Sequence, residues 1–195
     1  MINIGIIGGG ASGMTAAIEA AKNGAKVTII EQKERLGKKI LSTGNGRCNL
    51  TNEYMELDCF RGENLLFVQK VLNNIGYKEI CDFFEEMGVF TKSKNGYIYP
   101  RSEQALTVVE SFEMELNRLG VKCLMNTKVN SLKRAKKGFT VFVTEKIAKE
   151  FPSEKNSLKK GRKKKTVEYF EKDRAFSFDK VILATGGKAA SVLGS

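Results

Sequence analysis

Gly8, Gly10 and Gly13 stand at GxGxxG spacing, and an acid, Glu31, follows 23 residues after the first of them. These residue types at this spacing suit a dinucleotide. Bare backbone at Gly10 admits a pyrophosphate, Gly8 makes a tight turn, and Gly13 lets a helix lie close to a strand. Ala11 and Ser12, opening that helix, would turn free N–H groups and a partial positive charge toward the phosphates. Glu31 is placed to accept hydrogen bonds from a ribose diol, and its charge would repel a 2′-phosphate.

The elements needed to hold these groups are legible around them. Ile2 to Ile7 is a short β-branched run, as a buried parallel strand requires. An Ala-rich stretch as far as Lys22 predicts a helix, Gly24 ends it, and Lys26 to Ile30 predicts a second strand closing on Glu31. GxGxxG alone says little in a chain with 19 glycines. The strand before it, the helix after it and the acid at the tip of the next strand favour a nucleotide site over an ordinary glycine turn.

Residues 32–52 read as irregular backbone, since Gly37, Gly44 and Gly46 alternate with Asn45, Asn49 and Asn52. With Arg47 among them, these residue types favour close backbone approach to a ligand over a plain surface connection. Leu65 to Ile75 predicts an amphipathic helix, and Ile80, Phe83, Phe84 and Met87 a second one ending at Gly88. Val89–Thr91 and Tyr97–Tyr99 predict a hairpin around Asn95-Gly96. Ser102 is read as the cap of a third helix, with Glu103 in its first turn and Leu106, Val109, Phe112, Leu116 and Leu119 as its stripe. All of these stripes are expected in the core. Arg101 could reach an anion, though a solvated arginine is the plainer reading.

From Val121 the pattern turns to strands: Val121–Met125, Lys128–Leu132, Phe139–Val143 and Thr166–Phe170, the last three as an antiparallel meander. Glu145 to Lys165 between them is charged and poor in apolar residues, which predicts a loop or hairpin tip. Val181 to Ala184 returns to the parallel sheet and runs into Thr185-Gly186-Gly187, where backbone can lie beside a ligand at the carboxyl edge.

Composition excludes several chemistries. The chain has no histidine, which removes Ser-His and Cys-His nucleophile pairs and histidine metal ligands; no metal site is expected. Cys48, Cys59, Cys81 and Cys123 form no CxxC pair and read as reduced thiols. No run approaches the about 18 apolar residues of a membrane span, and a cytoplasmic protein without membrane contact is expected. The net charge of +11 suggests nucleic acid, yet Lys155 to Lys165 alone carries seven positive charges; taking those seven away leaves +4. A like-charge run without interleaved aromatics is usually solvated, so nucleic-acid binding is not favoured.

Three stretches together resemble a known family. The opening fits the longer FAD fingerprint of the glutathione-reductase-type flavoproteins: the three glycines, then Ala17, Gly24, Val27 and Glu31. Ala184-Thr185-Gly186-Gly187 resembles the second FAD-contacting motif of that superfamily. Gly37-Lys38-Lys39-Ile40-Leu41 through Thr43-Gly44-Asn45-Gly46-Arg47-Cys48-Asn49-Leu50-Thr51-Asn52 is similar to the signature of the BaiN-like flavoproteins, also called the aminoacetone oxidase family. Tyr99-Pro100-Arg101-Ser102 and Gly186-Gly187-Lys188 fit as well.

The resemblance implies FAD and flavin-dependent redox chemistry on an unidentified small molecule, with NAD(P)H as an electron donor for a full-length protein. Gly8, Gly10, Ala11, Ser12 and Gly13 would face the pyrophosphate and Glu31 the adenosine ribose, with Gln32 and Lys39 among the cofactor contacts. Val129 would offer backbone atoms to the adenine, near Ala184, Thr185 and Gly186. Gly44, Asn45, Gly46, Arg47, Cys48 and Asn49 would lie toward the flavin. Cys48 is a candidate beside the isoalloxazine, but packing is its favoured role because no partner cysteine is in range.

The fold class is α/β: a Rossmann-like parallel sheet with a βαβ unit, an antiparallel meander and a helical insertion, an FAD/NAD(P)-binding domain incomplete at its C-terminus. One domain is expected over 1–195, with the insertion at about 63–119, the meander at about 127–172 and a basic loop at about 145–165. Family members are longer, so a fragment is expected, lacking the flavin-end wall and the substrate pocket. Weakened FAD binding and self-association through an open sheet edge follow from that. Three alternatives stay open: an NAD-dependent dehydrogenase domain, a nucleic-acid-associated flavoprotein using the basic run, and an inactive binding module.

Overall fold

The structure is a computed structural model that describes residues 1–148 and 168–187. The basic run Lys155–Lys165, the predicted strand start at Thr166 and the segment from Lys188 to Ser195 lie outside the described residues.

The opening strand–helix–strand unit forms as its pattern requires. Strand β1 (Asn3–Ile7), helix α1 (Ala11–Lys22) and strand β2 (Lys26–Ile30) follow one another. Chain order then gives β3 (Thr51–Asn52), α2 (Leu65–Leu72), α3 (Tyr77–Glu86), β4 (Thr91–Lys94), β5 (Tyr97–Pro100), α4 (Ala105–Arg118) and β6 (Lys122–Leu124). Strands β7 (Thr127–Arg134), β8 (Phe139–Ala148), β9 (Tyr169–Phe178) and β10 (Lys180–Leu183) complete the described chain. The central sheet is parallel throughout, in the order β10-β1-β2-β6.

The sheet has two buried faces, and strand alternation assigns each residue to one of them. Ile4, Ile6, Val27 and Ile29 join a core with Met14, Ala17 and Ile18 of α1 and Val108, Val109, Phe112 and Leu116 of α4. Ile7 and Ile30 turn the other way, onto Val141, Val143 and Phe178 of the meander β7-β8-β9. The result is three layers: helices, parallel sheet, antiparallel meander. Gly5 belongs to the second face, where a Cβ would stand 2.6 Å from the Phe178 ring. Only hydrogen lets the two sheets close there.

Several expectations need correcting. The Leu65–Ile75 stripe is not core. Leu66, Phe67, Val71 and Ile75 are all exposed, and α2 buries no residue. Tyr169 and Phe170 of the predicted third meander strand lie in β9, which runs on to Phe178, beyond the expected end, where Phe176 and Phe178 pack on the core. Glu145 to Ala148, assigned to the basic loop, continue β8. Ser102 does not cap α4: Gln104 is its N-cap, and the Ser102 hydroxyl donates to Thr107 Oγ1 at 3.0 Å. Glu103 sits outside the helix at φ +53° and pairs with Lys92, and Leu106 of the expected stripe faces solvent. Within 32–52, Thr51–Asn52 is a strand and Ile40–Gly46 forms 3₁₀ turns broken at Thr43–Asn45. The Asn95-Gly96 turn is as expected, both residues lying at positive φ (54° and 81°), the signature of a two-residue type I′ hairpin.

Two measurements check this packing. Phe112 is buried edge-on against Phe84, centroids 5.6 Å apart. Phe112→Ala is expected to cost about 3–5 kcal/mol in urea unfolding, and a loss under 1 kcal/mol would contradict the helix-side core. Burial pushes the Cys123 thiol up to about 11, with the Glu113 charge adding to it, whereas Cys59 is exposed. Since only the thiolate alkylates, iodoacetamide at pH 8 is expected to modify Cys59 first. Labelling of native Cys123 should then climb with every pH unit toward 11; equal rates at pH 8 would be the contrary result.

Candidate functional site

Parallel pairing sets the site. Ile7 lies opposite both Ile30 and Leu183, so β1, β2 and β10 end side by side at one edge of the sheet. Open parallel sheets bind ligands at that carboxyl edge. The segments emerging there are Gly8–Gly10, Glu31–Lys33 and Ala184–Gly187.

Each glycine can be assigned by what a side chain would meet. A Cβ on Gly13 would stand 1.9 Å from the Gly8 oxygen, and one on Gly8 2.3 Å from the Ala184 oxygen, with Gly8 already at φ +109°. These two are bare so that helix α1, strand β1 and the end of β10 can close together. Gly10 is different: a Cβ there would meet nothing within 4 Å. The space before it is open. Gly10 is also the N-cap of α1 and supplies no side chain to the first turn, which carries no acid either. The N–H groups of Ala11, Ser12 and Gly13 precede the first intrahelical donor, Met14, and Ala11 and Ser12 are exposed. This is an uncapped positive end facing open space.

Glu31 is turned into the same crevice. One carboxylate oxygen accepts the Gly9 N–H at 2.7 Å and the other the Lys33 N–H at 2.8 Å. Each oxygen keeps a lone pair for a further donor, as a ribose diol would be. Gly9, absent from the sequence reading, is thereby a member of the site. Its Cβ would strike Leu36 at 2.4 Å, and its carbonyl accepts the Gly37 N–H at 2.8 Å. The unbroken run Gly8-Gly9-Gly10 was the signal for it. Arg35 was also missed: its Nε is shut off from solvent and has no hydrogen-bond partner among the described residues. A buried guanidinium nitrogen four residues beyond Glu31 is suited to an anionic group.

Ala184 is tied to this edge through its N–H, which donates to Ile7 at 2.8 Å, and Thr185 and Gly186 are exposed beside it. Gln32 is exposed and lines a polar groove of about 190 Å³ with Asn126, Lys128 and Lys146. Val129 pairs with Val143 just before a bulge in β7. The start of that strand is anchored to the crevice because Thr127 N–H donates to the Glu31 carbonyl at 2.9 Å. Lys39 is exposed and leads into the 3₁₀ turns.

The second expected group, Gly44 to Asn49, gathers on a different support. Gly44, Asn45 and Gly46 are exposed and all at positive φ. Asn49 is structural: its Nδ2 donates to the Thr51 and Ile98 carbonyls at 3.0 and 3.1 Å, binding the loop to β5. Cys48 is buried at φ +59°, and burial raises its thiol despite a hydrogen bond with Thr43. The Arg47 guanidinium lies over the Tyr99 ring, 5.8 Å from its centroid.

The crevice fits the ADP half of a dinucleotide on chain geometry: open space at Gly10, an uncapped helix start and a carboxylate fixed by two amides. Among the described residues no cluster of acids or cysteines could hold a metal, and no helix is long and apolar enough to cross a membrane.

Comparison with known proteins agrees. The chain is 48% identical to a 3-dehydro-bile acid delta(4,6)-reductase from Clostridium scindens, over all of this chain and 41% of that protein. It is 31% identical to a ribosomal RNA dihydrouridine synthase from Haemophilus influenzae, over 66% of this chain and 32% of the relative. It thus spans about two fifths and one third of the lengths of these two relatives. Among solved structures, CabE, an aromatic hydroxylase from angucycline biosynthesis, superimposes with a TM-score of 0.53 at 15% identity, covering 99% of this chain and 33% of that one, a likeness of fold. The model of the HI0933-like protein Rossmann domain matches residues 2–155, and with it this chain belongs to that family of FAD-binding Rossmann domains.

Proposed function

We propose that this chain carries the ADP half of FAD in the Gly8–Gly13 crevice, as the cofactor-binding part of a flavin-dependent oxidoreductase acting on a small organic molecule. The observation that supports this most directly is the Glu31 carboxylate, held by the Gly9 and Lys33 amides beside the open face of Gly10. In this reading the diphosphate rests on the N–H groups of Ala11, Ser12 and Gly13, and Arg35 completes its neutralisation. The ribose diol donates to Glu31, with Gln32 alongside. The adenine meets the backbone at Val129, with Ala184 to Gly186 nearby. The loop from Gly44 to Asn49, with Lys39 before it, borders the flavin end.

FAD supplies the two-electron chemistry when bound; the chain binds and orients it. The bile acid reductase relative supports reduction of an unsaturated substrate as the activity of a longer protein. NAD(P)H is the proposed electron donor. The free edge of β10 among the described strands is the proposed seat for a further strand, from a longer chain or a second copy. A cytoplasmic setting is proposed on four thiols without a CxxC pair.

An RNA substrate is the second reading, supported by the dihydrouridine synthase relative and the Lys155–Lys165 run. The crevice does not depend on it.

Two titrations test the cofactor reading. FAD is expected to bind and ADP to compete with it, while NAD binds at least tenfold more weakly; NAD binding tighter than FAD would reject the reading. A Cβ at Gly10 meets nothing within 4 Å, so Gly10→Val should crowd the open face and weaken ADP binding at least tenfold with little change in urea midpoint. Unaltered ADP binding in that variant would move the diphosphate elsewhere.

A further inference from the structure

The small antiparallel sheet β3-β5-β4 presents one packed and one open face. Directly opposed residues in an antiparallel ladder point to the same side, and so do residues two apart along a strand. Lys92 opposes Tyr99, Lys94 opposes Tyr97, and Asn52 opposes Tyr97 from β3. These five therefore share a face, while Thr51, Ile98 and Pro100 on the other face are buried. Arg47 reaches the same open face from its loop, stacked over Tyr99. Its Nε donates to the Gly44 carbonyl at 3.4 Å, and its two terminal nitrogens have no acceptor among the described residues.

The charges there do not cancel. Lys92 pairs with Glu103 and holds its carboxyl below the usual carboxylate range, with Lys94 and Arg47 adding weakly to the same effect. Arg47, Lys92 and Lys94 against Glu103 net +2, and +1 once Glu53, whose carboxylate lies by Gly96 at the hairpin turn, is counted. Tyr97, opposite Lys94 in the ladder, is 50% exposed and has no ring or cation contact among the described residues. The Arg47 guanidinium lies 5.8 Å from the Tyr99 ring centroid, within cation–π range, with its terminal nitrogens left for an acceptor.

Four residues at about 3.3 Å per residue make this face about 13 Å long, and three strands make it about 10 Å wide. That is the size of one small ring-bearing molecule, and too short to track a nucleic-acid backbone.

We propose that this face binds an organic anion, its carboxylate taken by the free nitrogens of Arg47 with Lys94 alongside, and its ring or hydrocarbon body laid on Tyr97. The proposed function bears on it in one respect: with FAD in its crevice, this face is the substrate end, and the molecule reduced is an organic acid. Binding itself does not require FAD.

The test is an NMR titration of the isotope-labelled chain with 2-naphthoate and with its neutral analogue 2-naphthalenemethanol. The ring signals of Tyr97 and Tyr99 are expected to move with 2-naphthoate, and the alcohol to need at least fivefold higher concentration. Arg47→Gln and the exposed Lys94→Gln should each weaken 2-naphthoate at least fivefold, with Arg47→Lys intermediate and ADP binding intact in all three. Equal binding of acid and alcohol, wild-type affinity in Arg47→Gln and Lys94→Gln, or displacement of 2-naphthoate by ADP would overturn the proposal. Naphthoate binding without ADP binding would instead reject the cofactor reading alone.

Discussion

The crevice depends on one carboxylate held by two backbone amides. Glu31 leaves the end of β2 and returns to Gly9 and Lys33, which pins the glycine turn to the tip of the neighbouring strand. A charged acceptor with two N–H donors is a strong contact, and it costs the acid only part of its capacity. The same oxygens remain available at the crevice. The turn is tied by these contacts without a ligand, and such preorganisation lowers the cost of binding.

The rest of the fold exists to keep that edge in register. Helix α1 can sit on β1 only because Gly13 touches the Gly8 carbonyl, and the end of β10 approaches only because Gly8 is bare. Ile6, Ile29, Met14 and Phe112 seal the helix side; Val141, Val143 and Phe178 seal the meander side. Thr127 then ties the meander back to Glu31 itself. Displacing any layer would move the carboxylate from the open face of Gly10.

What was legible in the sequence was whatever local chemistry alone dictates. The glycine spacing, the βαβ unit and the Asn95-Gly96 turn each need particular residues for steric reasons, and each formed where expected. What failed depended on tertiary partners. The periodicity of α2 predicts a buried stripe, but periodicity says nothing of what covers it, and Leu65, Leu66, Phe67 and Val71 remain exposed. Phe176 and Phe178 fixed β9 through contacts made across the sequence, which no local pattern announces. The tie that Asn49 makes to β5 through its side-chain amide was likewise not announced by any local pattern. Gly9 was missed since its role follows from where the chain folds back, at Leu36 and Gly37.

A crystal structure of the chain with ADP tests the central claim most directly. The account expects the diphosphate within hydrogen-bond distance of the Ala11 and Ser12 amides, and both ribose hydroxyls on Glu31 with its Gly9 contact retained. ADP seated away from Gly10, or Glu31 swung out of the crevice in the complex, would contradict it.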